Sequence, residues 1–147
     1  MAQKAQKDGE AEKMLEYYEK ALELSASDAN RGAICLNICN GLTKSKQYTG
    51  ALTYAEKAIK YNPDYTGKAY LKMANIYTML GQYNEAIAYC GKAADADITV
   101  SGSANRLKEN IQRVQANQAE NAKARKAYDD FIKRQKAEED FWKGSGK

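Results

Sequence analysis

The chain has 147 residues, 29% of them charged, a formal net charge of +4 and no histidine. That length suits a single domain with its own core, and the lack of histidine removes the commonest general base and the commonest metal ligand, so several enzyme classes drop out. No apolar run is long enough to span a membrane or serve as a signal peptide, and three cysteines, an odd number, suit a reducing compartment, so a cytoplasmic setting is expected.

A single proline, Pro63, and the scarcity of Val and Ile predict an all-α chain. Sliding the sequence against itself by 35 positions aligns "YTGALTYAEKAIKYNPD" with "YNEAIAYCGKAADADIT", setting Tyr48, Ala51, Ala58 and Pro63 opposite Tyr83, Ala86, Ala93 and Ile98. An earlier copy, "GEAEKMLEYYEKALELSASD", sets Gly9, Tyr18 and Ala21 opposite Gly81, Cys90 and Ala93, with its first half nearly missing. Small residues at Ala51, Ala58, Ala74, Ala86 and Ala93 fit paired helices that approach closely, where a larger side chain would overpack the contact.

This pattern resembles the tetratricopeptide repeat, a helix-turn-helix unit of about 34 residues. In residues 67–100, Tyr70, Met73, Ala74 and Tyr77 take the first-helix places, Gly81 the turn, and Ala86, Cys90 and Ala93 the second-helix places, with Ile98 where the repeat carries proline. The copy before it uses Cys35, Ile38, Cys39 and Leu42, then Ala51, Ala55, Ala58 and Pro63. The resemblance implies an α-solenoid of stacked hairpins: a truncated repeat at 1–30, repeats at 32–66 and 67–100, a long C-terminal capping and projecting helix at 102–143, and a flexible tail at 144–147. The helix is expected from about Ser103, with Leu107, Ile111 and Val114 covering the last repeat. Residues 115–126 offer only alanines as apolar side chains, so the helix there is expected to run through solvent. Tyr128, Phe131 and Ile132 then form a short apolar face at i, i+3 and i+4, and Phe141 and Trp142 follow.

Several candidate sites compete. Cys35 and Cys39 at i, i+4 could face one metal, but a closed zinc site needs further thiolates or imidazoles; buried packing is the preferred reading, as it is for Cys90, so neither a metal nor a cofactor is expected. The glycines are scattered singly and form no phosphate-binding loop. Residues 103–147 hold 11 basic and 7 acidic side chains, against 12 of each before them. Because Asp129, Asp130, Glu138, Glu139 and Asp140 interrupt the basic run, a solvated mixed-charge helix is preferred to nucleic-acid or membrane binding. The remaining candidate is the groove lined by first helices, whose exposed positions are Asn37 and Asn40 in one repeat and Lys68, Lys72 and Asn75 in the next. Lysines four apart repel slightly unless an anion lies between them. They read either as solvated charges or as a grip for a carboxylate.

Three segments in order resemble the immunophilin-type co-chaperones: "AICLNICNGLTKSKQYTGALTYAEKAI", "GKAYLKMA" and "ENAKARKAYDDF". The repeat domain of that family binds the acidic C-terminal peptide of heat-shock chaperones through a two-carboxylate clamp. The resemblance implies that Asn37 takes the clamp's second-repeat asparagine, Lys68 its third-repeat lysine and Lys72 its third-repeat arginine, with Gln3, Asn40 and Asn75 supporting the groove. Lys72 keeps the charge of arginine but not its planar fork. Gln3 stands at the place of the first-repeat asparagine, and the family's first-repeat lysine falls before Met1 unless Lys4 or Lys7 substitutes. No isomerase activity is expected, because the family's isomerase domain has no counterpart in these residues. The competing expectation is a generic scaffold that binds a partner helix through the groove, or through Tyr128, Phe131, Ile132 and Trp142 on the C-terminal helix, where self-association is a further option.

Overall fold

The computed structural model describes the backbone of residues 2–25 and 27–145 and the side chains of residues 9, 10, 12–25 and 27–144. Six α-helices are present among the described residues: α1 (Ala2–Leu24), α2 (Asp28–Lys44), α3 (Tyr48–Tyr61), α4 (Thr66–Met79), α5 (Tyr83–Ala96) and α6 (Ile98–Ser145), with a 3-10 turn at Pro63–Tyr65. They fall into two compact units, Met1–Ile111 and Gln112–Lys147.

The first unit contains two helical hairpins, α2 with α3 and α4 with α5, and the same backbone device turns both. Gln47 N–H donates to the Leu42 carbonyl at 2.8 Å and Lys46 N–H to Thr43 at 3.1 Å; 35 residues later Gln82 N–H donates to Tyr77 at 2.9 Å and Gly81 N–H to Thr78 at 3.1 Å. This pair of bonds satisfies carbonyls orphaned at a helix C-terminus and requires a left-handed residue just past the end. Gly81 supplies it at φ +75°, and Lys46 is forced into it at φ 63°. Gly9, aligned with Gly81 in the sequence, makes no such turn: α1 runs through it without a break.

The junctions after α3 and α5 also repeat. Asn62 and Asp97 are extended residues closing those helices, and each side chain accepts a backbone N–H two residues on, from Asp64 at 3.1 Å and from Thr99 at 2.9 Å. Asp97 also accepts from the Thr99 hydroxyl at 2.6 Å, and the two bonds hold its carboxyl below the usual carboxylate range. That local cap starts α6 at Ile98, ahead of the Ser103 start read from the sequence, and leaves Ile98 itself 86% exposed.

One core cluster gathers Cys35, Ile38, Cys39, Leu42, Ala51, Ala55, Ala58, Met73 and Ile76, with Leu15, Tyr18 and Leu22 of α1 packed against it. A second joins Ala74, Ala86, Cys90 and Ala93 to the start of α6. There the buried stripe begins and ends earlier than expected. Val100, Ala104 and Ile111 are buried and Leu107 is half-buried, whereas Val114 is 40% exposed. The earlier helix start adds Val100 and Ala104 to the stripe at i and i+4, and Ile111 completes it two turns further on. Tyr77 stacks on Tyr89 at 5.3 Å between ring centroids, and Tyr70 lies 5.6 Å from the same ring, filling the space that the alanines leave open.

In the second unit, side chains 116–129 of α6 are exposed throughout, as are Tyr128, Phe131, Ile132, Phe141 and Trp142.

Candidate functional site

The two first helices, α2 and α4, carry the polar residues singled out in the sequence, and two of these are brought into contact. Lys72 Nζ donates to Asn40 Oδ1 at 2.7 Å, across a sequence separation of 32 residues. The register follows from packing. Met73 and Ala74 are buried at 1% and 0%, which leaves Lys72 half-buried at the edge of the core and Asn75 exposed. On α2, fully buried Cys39 leaves its neighbour Asn40 exposed, with Asn37 one turn earlier, also exposed. The Lys72 ammonium reaches over this edge toward Cys39: burial pushes the Cys39 thiol up, and Lys72 and the Thr43 hydroxyl oppose that shift.

Lys68, one turn before Lys72, is exposed and lies 6.0 Å from the centroid of the Tyr65 ring. Its charge reaches Asp97, whose carboxyl it helps to keep ionised after the two Thr99 bonds. Lys68 is therefore not held against Asn37, Asn40 or Lys72, and no hydrogen bond among the described residues engages the side chains of Asn37 or Asn75. Neither lysine forms an ion pair within 4 Å of a carboxylate among the described residues. The side chains of Gln3, Lys4 and Lys7 lie outside the described residues.

The sequence reading missed two glycines that set how close the helices come. Gly67, next to Lys68, is buried where α4 passes the end of α5; a Cβ there would fall on Asp97 Cβ, with Asp97 N at 3.3 Å. Gly32, its equivalent 35 residues earlier, packs on Asn62 and Tyr65. Their common offset was the available signal. Cys35, Cys39 and Cys90 are free, buried at 0%, 0% and 1%, and all three thiols are pushed up by burial, which keeps them protonated and poorly nucleophilic. Among the described residues no three His, Cys, Asp or Glu side chains gather in a way that could hold a metal ion, and no helix is long and apolar enough to cross a membrane.

Two family models described as tetratricopeptide repeat match the sequence, one over residues 42–97 and one over residues 3–28, together more than half of the chain. The chain is a tetratricopeptide repeat protein. Among solved structures, the TPR2B domain of yeast Sti1 in its pHsp70 complex is similar at a TM-score of 0.58 and 16% identity, over 77% of this chain and 98% of that one. That likeness is one of fold. No curated protein matches the sequence. As a tetratricopeptide repeat protein the chain is a protein-interaction module, and α2 and α4 are the first helices of its two hairpins.

Proposed function

We propose that this protein binds the acidic C-terminal peptide of a partner on the polar face of α2 and α4, in the manner of a co-chaperone, with Asn37, Lys68 and Lys72 holding carboxylates. Asn40 and Asn75 support the groove. The observation that carries the reading is the Lys72–Asn40 bond: an ammonium held at 2.7 Å by a neutral amide, with no carboxylate within 4 Å of it among the described residues. An incoming carboxylate offers that ammonium a charge-assisted bond worth about 1.5–3 kcal/mol in place of a neutral acceptor. Lys68, exposed one turn away, gives a second cationic contact for the same ligand or its neighbouring carboxylate. The tail of a heat-shock chaperone is the proposed ligand, a peptide ending Glu-Glu-Val-Asp its simplest form. Titration calorimetry of that peptide into the intact protein tests the assignment. Lys72→Ala is expected to weaken binding at least tenfold, the lower end of the charged-bond range; unchanged affinity in both Lys68→Ala and Lys72→Ala would remove the groove from the account.

A second reading, a scaffold that docks a protein through α6, is favoured by the exposure of Tyr128, Phe131, Ile132 and Trp142 at 64%, 55%, 45% and 70%. Under it, removal of the residues after Gln118 abolishes partner capture and leaves peptide binding intact.

A further inference from the structure

Tyr128, Phe131, Ile132 and Trp142 lie on one stripe of α6, at offsets of 0, 3, 4 and 14 residues, with Gln135 between them. All four apolar side chains are exposed. On the stripe and along its edge nearest Ile132, with Lys143 one turn beyond, the charges follow in the order Arg125, Asp129, Lys136, Glu139. Counted from Ile132 these stand at −7, −3, +4 and +7, with signs plus, minus, plus, minus. Each positive charge on one side of Ile132 thus has a negative one at nearly the same distance on the other side. Such an order is self-complementary under reversal of the helix: antiparallel pairing about Ile132 sets Arg125 against Glu139 and Asp129 against Lys136, whereas in-register parallel pairing sets every charge level with its own copy.

The charges are also available for that use. Among the described residues, Arg125, Asp129 and Lys136 form no ion pair, although Asp129 stands four residues before Lys133 and four after Arg125. Glu139 pairs with Lys143 at 3.2 Å, but both side chains are well exposed, at 66% and 72%, and such a bond exchanges at little cost.

We propose that residues 123–143 of α6 pair antiparallel with the same segment of a second copy of this chain, about a two-fold axis at Ile132. This gives the docking role of α6 its partner, and it is independent of the groove. Phe131 and Ile132 meet their own copies at the axis, Tyr128 lies against Gln135 on either side, and the Arg125–Glu139 and Asp129–Lys136 pairs set the register. Taking ~200 Å² for a fully exposed aromatic side chain, the exposed parts of the four apolar residues amount to roughly 500 Å² per chain, so two chains offer about 1,000 Å², the area at which specific pairing begins. The segment is about 30 Å long.

Sedimentation equilibrium of the full chain, followed by crosslinking, is the test. A reversible dimer is expected, and Phe131→Glu with Ile132→Glu, both at exposed positions outside the two core clusters, should raise its dissociation constant at least tenfold while the circular dichroism stays unchanged. Chains carrying Arg125→Cys should join chains carrying Glu139→Cys through a short bismaleimide, and neither should join itself. A monomer at 100-fold above the concentration of the binding assays overturns the proposal, whether or not that monomer co-sediments with anionic vesicles or still captures a protein through α6. Self-joining of Arg125→Cys chains, or a dimer indifferent to the paired glutamates, overturns it equally.

Discussion

Replacing Gly67 by alanine sets a favourable helix term against a steric one, and the structure decides which wins. Alanine in a helix is worth about 1 kcal/mol over glycine. Against this, the new methyl would land on Asp97 Cβ and press on Asp97 N at 3.3 Å and Cα at 3.4 Å. Those atoms cannot swing aside as a long side chain can. Asp97 closes α5 through its N–H to the Ala93 carbonyl at 3.1 Å and caps α6 through Thr99. Relief therefore requires α4 to back away from the α5–α6 junction, and overpacking of this kind costs about 1–3 kcal/mol. The net expectation is a loss of up to about 2 kcal/mol, or a melting temperature lower by up to roughly 6 °C for a chain of this size. Gly32→Ala is the internal control. Its methyl would meet Tyr65 ring atoms at 2.9 and 3.1 Å and Asn62 Cβ at 3.0 Å, side-chain contacts that are all longer than the one at Asp97 Cβ. That loss is expected to be near zero once the helix term is included. Thermal and urea unfolding followed by circular dichroism measures both. A Gly67→Ala protein as stable as the original, or less affected than Gly32→Ala, would show that the close approach at Asp97 does not set the helix spacing.

Three further outcomes follow from other sites. Lys46, held at φ 63° where Gly81 sits in the next hairpin, should gain about 0.5–1 kcal/mol of stability as Lys46→Gly, while Gly81→Ala should lose about 1 kcal/mol; paired urea midpoints check the opposite signs. The Tyr54 hydroxyl, raised to about 12 by burial and by its 3.0 Å bond to Glu19, keeps its proton more tightly when folded than when unfolded. Stability from it is complete below pH 10 and is lost as pH rises through about 12, by about 1 kcal/mol after allowing for its partial exposure; Tyr54→Phe should flatten the urea midpoint over that window. The buried thiols should be inert to a thiol reagent in native buffer and all three should react once urea unfolds the chain, so rapid labelling of Cys39 in the native state would contradict its place in the core.

Much of the hairpin array was legible because small residues recur at the same offset wherever two helices touch: Ala51, Ala58, Ala74, Ala86 and Ala93 are all fully buried. What stayed hidden depends on backbone geometry that composition does not display. Lys46 reads as an ordinary surface lysine, yet the C-terminus of α2 forces it left-handed; Gly9 aligns with Gly81 but lies within α1. The start of α6 was misjudged because Asp97 caps it with its own side chain, and the stripe that begins at Val100 is buried only as far as Ile111, which leaves Val114 exposed. For the groove, helical spacing indicated which faces Asn40 and Lys72 occupy, but no local pattern says that an amide on α2 and an ammonium on α4 lie 2.7 Å apart. That distance is a tertiary quantity, set by the packing of Cys39 and Met73 beneath it.

The most direct test of the carboxylate grip is the affinity of the intact protein for one acidic peptide ending Glu-Glu-Val-Asp, prepared with a free and with an amidated C-terminus. If Lys68 and Lys72 hold carboxylates, removing the terminal one should weaken binding about tenfold or more, with most of that difference lost in Lys72→Ala. Equal affinity for the two peptides would contradict it.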